Sequence, residues 1–198
     1  MKIVGLTGGI GSGKSTISKI LLKNEIPVYN SDKKAKLIMA ENEELKIKIK
    51  SMFGDQCFIN GKLNKKHLSK VVFGDLENNM KMNSIVHPFV HSDFIKWAKK
   101  FKKKYVVYES ALIFETGSYK KNDFNVLVVS DENKRINRVM SRDRCSENQV
   151  RKKMKFQLND LNKTNLCDYL IYNHDFEQTK KDVYKMINFL NRKFHCLT

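Results

Sequence analysis

No stretch of this chain approaches the run of about eighteen apolar residues that a membrane-spanning helix requires, so no membrane partner is expected. Proline is scarce, limited to Pro27 and Pro88, and nine glycines are too few for a flexible linker or a low-complexity tract. The four cysteines, Cys57, Cys145, Cys167 and Cys196, form no CxxC pair and no metal-ligand spacing, so free thiols are expected rather than a disulfide framework or a zinc site. Acidic residues are in short supply: 21 Asp and Glu stand against 38 Lys and Arg, a formal charge of +17. Such a surplus can serve a nucleic acid by neutralising phosphates. Here it is nearly all lysine, spread along the chain with abundant Asn and Ile, and it reads as a compositional bias. A small polyanionic substrate is therefore expected as partner, and no nucleic acid. Met1–Thr7 lead straight into the first motif and leave no room for a signal peptide, so a cytoplasmic protein is expected.

The 198 residues suffice for one compact domain with its own core. Short apolar runs rich in β-branched residues, Ile3–Thr7, Ile26–Tyr29, Tyr105–Tyr108, Phe124–Val129 and Tyr169–Tyr172, read as buried strands. Helical periodicity marks Lys14–Lys23, Lys33–Ala40, Glu43–Phe53, Lys65–Val72, Ile85–Phe101, Glu132–Arg142 and Glu177–Phe194. Strands alternating with helices predict an α/β fold of three layers, with a mostly parallel five-stranded sheet. The strand-poor stretch from about 33 to 104 reads as a helical insertion beside that sheet. A second strand-free stretch, about 141–159, reads as a mobile flap. The basic run Lys99–Lys104 suits a solvated helix end, while the run at 151–155 suits either substrate phosphates or water.

Open parallel sheets bind ligands beyond the carboxyl ends of their strands, so chemistry is sought there. After the first strand, Gly8-Gly9-Ile10-Gly11-Ser12-Gly13-Lys14-Ser15 fills every position of G-x-x-x-x-G-K-[ST], with Thr16 following. Glycines let successive N–H groups turn around a phosphate without Cβ clashes, and the helix start adds its positive end. Gly9, Gly11, Ser12, Gly13, Lys14, Ser15 and Thr16 are the expected ATP-binding set. Lys14 reaches the β- and γ-phosphates and the Ser15 hydroxyl suits Mg²⁺. Asn30-Ser31-Asp32 follow the second strand. Two roles fit Asp32 equally on pattern alone: a base toward an attacking hydroxyl, or a cap for the helix expected near Lys33. Glu109 ends the third strand and is the candidate for supporting Mg²⁺ through water. Leu112-Ile113-Phe114-Glu115 follows: Phe114 packs on substrate or in the core, and Glu115 orients a loop or contacts substrate. Six arginines occur in all, and five of them lie between 135 and 151. Arg138 and Arg142 share a helical face, and guanidinium forks suit phosphate oxygens. His87-Pro88 begins or kinks a long helix, and His87 is a candidate for contacting substrate.

Taken in order, Leu6-Thr7-Gly8 through Ser15, Asp32 before Ala35, His87-Pro88, Leu112–Glu115, Arg138 with Arg142-Asp143, Gln157, Lys163, Asp168, Ile171 and Asn173 resemble the dephospho-CoA kinase family from Ile3 to about Leu190. The resemblance implies ATP-dependent phosphorylation of the ribose 3′-hydroxyl of dephospho-CoA. It implies a P-loop NTPase fold with a CoA-side helical insertion and a lid, Asp32 as the base and Arg142 as a lid arginine on ATP. A monomer is expected. Asn30 stands where the family usually has Asp, and Ala111 where it usually has Pro. Another P-loop kinase, acting on a nucleoside or nucleoside monophosphate, is the alternative reading.

Overall fold

A computed structural model describes residues 1–72 and 75–194. In chain order it contains β1 (Lys2–Gly8), α1 (Lys14–Lys23), β2 (Val28–Asn30), α2 (Ser31–Glu41), α3 (Glu43–Phe53), β3 (Phe58–Ile59), β4 (Lys62–Leu63), α4 (Lys65–Val72) and α5 (Leu76–Ala98). It continues with β5 (Tyr105–Glu109), β6 (Phe124–Val129), α6 (Glu132–Asp143), α7 (Glu147–Met154), α8 (Asp160–Thr164), β7 (Tyr169–Tyr172) and α9 (Phe176–Lys193). The chain forms two compact units. One is built from Met1–Asn30 and the chain from Phe101 onward, the other from Ser31–Lys100.

The first unit is organised by a five-stranded sheet in the order β2-β5-β1-β6-β7, and every neighbouring pair is parallel. Parallel strands covered on both faces are nearly continuous apolar runs. In β6, Phe124, Val126, Leu127 and Val128 are all buried, and the one polar residue among them, the buried Asn125, donates to Tyr119 O and accepts from the Asn122 amide. The amphipathic helices α1 and α9 pack together. Ile17, Ile20 and Leu21 join Val183, Met186, Ile187 and Leu190 in the main core, beneath Val4, Leu6 and Val126. Asp175 starts α9 by accepting a hydrogen bond from the Gln178 N–H, and Asp131 starts α6 in the same way from Lys134.

The second unit is helical apart from the hairpin of β3 and β4, which turns on Asn60-Gly61 with φ of 49° and 74°. Both central residues in the left-handed region are what a tight hairpin turn of the mirror-image kind demands. α5 begins at Leu76, nine residues before its expected start at Ile85. Its polar Asn-rich opening hides the period. The buried stripe Met82, Val86, Val90, Phe94 and Ala98, spaced by four, gives it away. Pro88 lies inside this helix rather than beginning it, on the exposed side, where water can serve the carbonyl it leaves without a helical donor.

The stretch 141–159, read as a flap without strands, holds the end of α6 and all of α7. Arg144, at φ 50°, ends α6 in the left-handed conformation, and Ser146 with Gln149 forms a capping box for α7. Ile136, Val139 and Val150 make a small core of their own there. Of the cysteines, Cys57 is buried and Cys145 and Cys167 are half-buried, all as free thiols; Cys196 lies outside the described residues.

Candidate active site

The loop between β1 and α1 is shaped by its carbonyl groups. Each carbonyl from Gly8 to Ser12 accepts a hydrogen bond from a side chain. Lys14 Nζ donates to the Gly8 and Gly9 oxygens at 2.7 and 3.2 Å. Arg135 Nε donates to Ile10 O at 3.0 Å, Arg138 Nη1 to Gly11 O at 3.3 Å, and Asn173 Nδ2 to Ser12 O at 2.7 Å. Oxygens held in this way constrain the loop's conformation, which a glycine-rich segment could not keep alone. The glycines are needed for fit as well. Gly13, at φ 98°, caps α1, and a Cβ there would meet the Asn173 amide at 1.8 Å; a Cβ on Gly9 would meet the Arg135 guanidinium at 2.0 Å. Ser12 is buried, whereas Ser15 and Thr16, in the first turn of α1, keep solvent contact.

Three side chains that hold this loop escaped assignment from sequence. Arg135, only 7 % exposed, also donates to Asp160 at 2.9 Å, so its buried charge is paired. Asn173 directly follows β7, and the same rule that pointed to residues after the other strands would have found it. Gln157 accepts from the Ile10 N–H through Oε1 at 2.8 Å and donates through Nε2 to Ala111 O at 3.0 Å.

Glu109, at the end of β5, is buried, and its carboxylate accepts a hydrogen bond from Ser18 Oγ at 2.8 Å. Ser18 stands one turn beyond Lys14 on α1, so the helix that carries the lysine also fixes the acid. Across the strands Glu109 is in register with Leu6 on one side and Asn30 on the other.

Of the two readings of Phe114, substrate or core, its position is that of a core residue. It is 4 % exposed, and its ring packs 5.6 Å from that of Tyr119, because the apolar Leu112–Phe114 segment turns into the core. Glu115 takes the first of its two readings, orientation of a loop. Its Oε1 accepts from the Leu158 N–H at 2.9 Å and lies 3.0 Å from Lys163 Nζ, with 12 % of its side chain exposed. Lys163 is fully buried; the contact is an ion pair whose angles fall short of a hydrogen bond.

The two arginines expected on ATP differ. Arg138 reaches the loop and also bonds Ser130 Oγ at 3.1 Å. Arg142 instead forms a two-pronged pair with its neighbour Asp143, at 2.7 and 3.1 Å, with 62 % of its side chain exposed. In the basic run at 151–155, Arg151 is paired with Glu132 and Glu147, and Lys153 lies 3.5 Å from Asp143.

In the helical unit, α2 begins at Ser31 rather than near Lys33, so Asp32 lies within its first turn. A carboxylate is favoured there by the positive end of the helix. α2 packs on α5, which brings Asp32 into electrostatic range of His87. Desolvation by the surrounding chain lowers the His87 pKa although the ring keeps solvent contact, and the negative charge of Asp32 offsets this only in part.

A strand, a glycine loop with its carbonyls engaged, a lysine and a helix start, set at the carboxyl end of a parallel sheet, define a P-loop nucleoside-triphosphate site. The model of the family described as dephospho-CoA kinase matches residues 2–178, and the chain belongs to that family. It is 34% identical over 186 residues to a dephospho-CoA kinase of Fusobacterium nucleatum, covering 93% of this chain and 94% of that one. A dephospho-CoA kinase of Bacteroides fragilis is 31% identical over 195 residues, covering 98% and 95%. The solved dephospho-CoA kinase from Campylobacter jejuni superposes with a TM-score of 0.70 at 23% identity, covering 98% of this chain and 99% of that one, and shows the shared fold.

Proposed function

We propose that the chain transfers the γ-phosphoryl group of ATP to the ribose 3′-hydroxyl of dephospho-CoA, giving CoA and ADP. The observation that carries this reading is the complete phosphate loop with its carbonyls engaged, in a chain that belongs to this family. With this reaction goes our reading of the protein as a cytoplasmic monomer that acts on small molecules.

Phosphoryl transfer asks a protein for positioning and charge stabilisation more than for covalent chemistry. The phosphates lie over Gly11–Thr16, at the start of α1. Lys14 leaves the Gly8 and Gly9 carbonyls for the β- and γ-phosphates, a short move within one side chain's reach. Asp32 orients the 3′-hydroxyl and takes its proton, and His87, neutral near pH 7, contacts the acceptor. Arg142 exchanges Asp143 for ATP as the 141–159 segment closes, which excludes water from the transferring group.

The residues present fit Mg²⁺. They offer hard oxygen donors, the Ser15 hydroxyl and the Glu109 carboxylate, and among the described residues no cluster of three His, Cys, Asp or Glu side chains forms a dedicated cage. Magnesium carried in on nucleotide phosphates needs few protein ligands. Ser15 would ligate it and Glu109 would support it through water, and bound there it would neutralise charge on the β- and γ-phosphates.

The test is ADP release from Mg·ATP with dephospho-CoA, against parallel reactions with nucleosides and nucleoside monophosphates. Stimulation by dephospho-CoA alone, with CoA as product, is expected. Stimulation by another acceptor would keep the phosphate loop and discard the substrate. Lys14→Ala is the inactive control, and Asp32→Asn is expected to lose on the order of 10²-fold in turnover, the scale of a positioned base. Normal turnover by Asp32→Asn would remove Asp32 from that role.

A further inference from the structure

Ile10, in the phosphate loop, has both backbone polar groups tied to side chains more than a hundred residues away in sequence: its N–H to Gln157 and its carbonyl to Arg135. Its side chain packs against the small core of α6 and α7. Gln157 follows α7 and uses both ends of its amide, Oε1 toward the Ile10 N–H and Nε2 toward the Ala111 carbonyl. The orientation of that amide is forced. A backbone N–H can only donate and a carbonyl can only accept, so flipping the group would oppose two donors at one end and two acceptors at the other.

Ala111 opens the loop after β5, and Glu115 closes it. Glu115 is held by the Leu158 N–H and by Lys163. Residues 157–163 therefore grip the 111–115 loop at both ends, and through Gln157 they grip the phosphate loop too. We propose that Gln157 is a positioning residue: its amide couples nucleotide on the phosphate loop to the order of the 111–115 loop. This deepens the proposed function and rests only on its nucleotide half.

Two variants separate the ends of the amide. Gln157→Glu keeps an acceptor for the Ile10 N–H but sets a second acceptor against the Ala111 carbonyl. Gln157→Met keeps the length and removes both bonds. Hydrogen exchange of peptides covering 8–13 and 111–116, with and without Mg·ADP, is read together with ADP affinity by calorimetry. In the wild type, ADP slows exchange in both peptides. In Gln157→Glu, ADP affinity stays within about twofold, with slowing at 8–13 but none at 111–116. Gln157→Met weakens ADP binding by about fivefold to tenfold, the scale of one neutral hydrogen bond.

In turnover, Gln157→Glu should raise the KM for dephospho-CoA while leaving that for ATP in place. The proposal is overturned if ADP slows 111–116 in Gln157→Glu as in the wild type, or if Gln157→Met binds ADP normally. Faster exchange across the whole sheet in both variants would also overturn it, by making the role one of general stability. The ADP measurements need no acceptor, so a wild type that ignored dephospho-CoA would sink the substrate assignment and leave this coupling standing.

Discussion

Arg138 and Arg142 stand one helical turn apart on α6, yet the first bonds the Gly11 carbonyl at 3.3 Å while the second is turned to Asp143 at 2.7 Å. One arginine is tied to the backbone of the glycine loop, and the other to its own sequence neighbour. Their variants should therefore fail differently. Arg138→Ala is expected to weaken ADP binding and to lower the melting temperature by a few degrees, because a carbonyl of the loop loses its donor. Arg142→Ala is expected to melt like the wild type and, under the proposed closure onto ATP, to lose on the order of 10²-fold in kcat. Calorimetry and steady-state kinetics on both variants check the contrast; equal effects of the two on ADP affinity would contradict it.

Lys163 and Glu115 form a buried pair that neither residue can leave alone. Lys163→Met strands the Glu115 carboxylate in the interior and is expected to cost about 3–5 kcal/mol. The double variant Lys163→Met with Glu115→Gln should recover much of that loss, because the uncompensated charge is gone. Urea unfolding of the two singles and the double closes the cycle. A double variant no more stable than Lys163→Met would show that packing rather than charge sets the cost.

Asn30 lies in register with Glu109 on the neighbouring strand, where the family usually places a second acid. Asn30→Asp sets two carboxylates side by side, a repulsion of about 1 kcal/mol or less between cross-strand neighbours. That corresponds to about 2–4 °C in melting temperature for a chain of this size. Mg·ADP should return most of the loss, and ADP without magnesium should not. A variant that melts like the wild type without magnesium would separate the two side chains.

Asp123, before β6, accepts from Lys2 Nζ at 2.8 Å and from the Ile3 N–H at 2.8 Å, which pins the start of the central strand. Partial burial pushes its pKa up, but the bonds from Lys2 and Ile3 outweigh this and leave it below the usual 3.8. A depressed carboxylate pKa means that the unfolded chain binds the proton first as pH falls. The stabilisation is thus complete above pH 3.8 and is lost on further acidification through the lower, folded value. Half-open to water, the cluster contributes about 1 kcal/mol or less. The stability gap between wild type and Asp123→Asn, measured by urea unfolding across pH, should be constant near neutrality and close in the acid range.

The strands of the sheet and the phosphate loop were legible because each is local. Phe124–Val129 is apolar but for Asn125, close to what two-sided burial requires, and Gly8–Ser15 carries its chemistry in eight consecutive residues. What escaped depends on distant partners. Nothing near Arg135 distinguishes it from Arg138 as the residue under Gly9; that follows from how α6 packs beside the loop. Phe114 reads as a substrate contact or as core until the turn after β5 is seen to bury it. The β3–β4 hairpin had its signal in Asn60-Gly61, but strands of two residues are too short to show a period.

The position of β1 has a consequence for how the protein is made. Both neighbours of this strand, β5 and β6, begin at residue 105 or later. A ribosome adding about 5–20 residues per second needs on the order of ten seconds to supply them. Throughout that interval the emerging chain carries its glycine loop without the strands that flank β1. The helical Ser31–Lys100 unit is synthesised in the meantime, so the glycine loop waits for both strands that flank it.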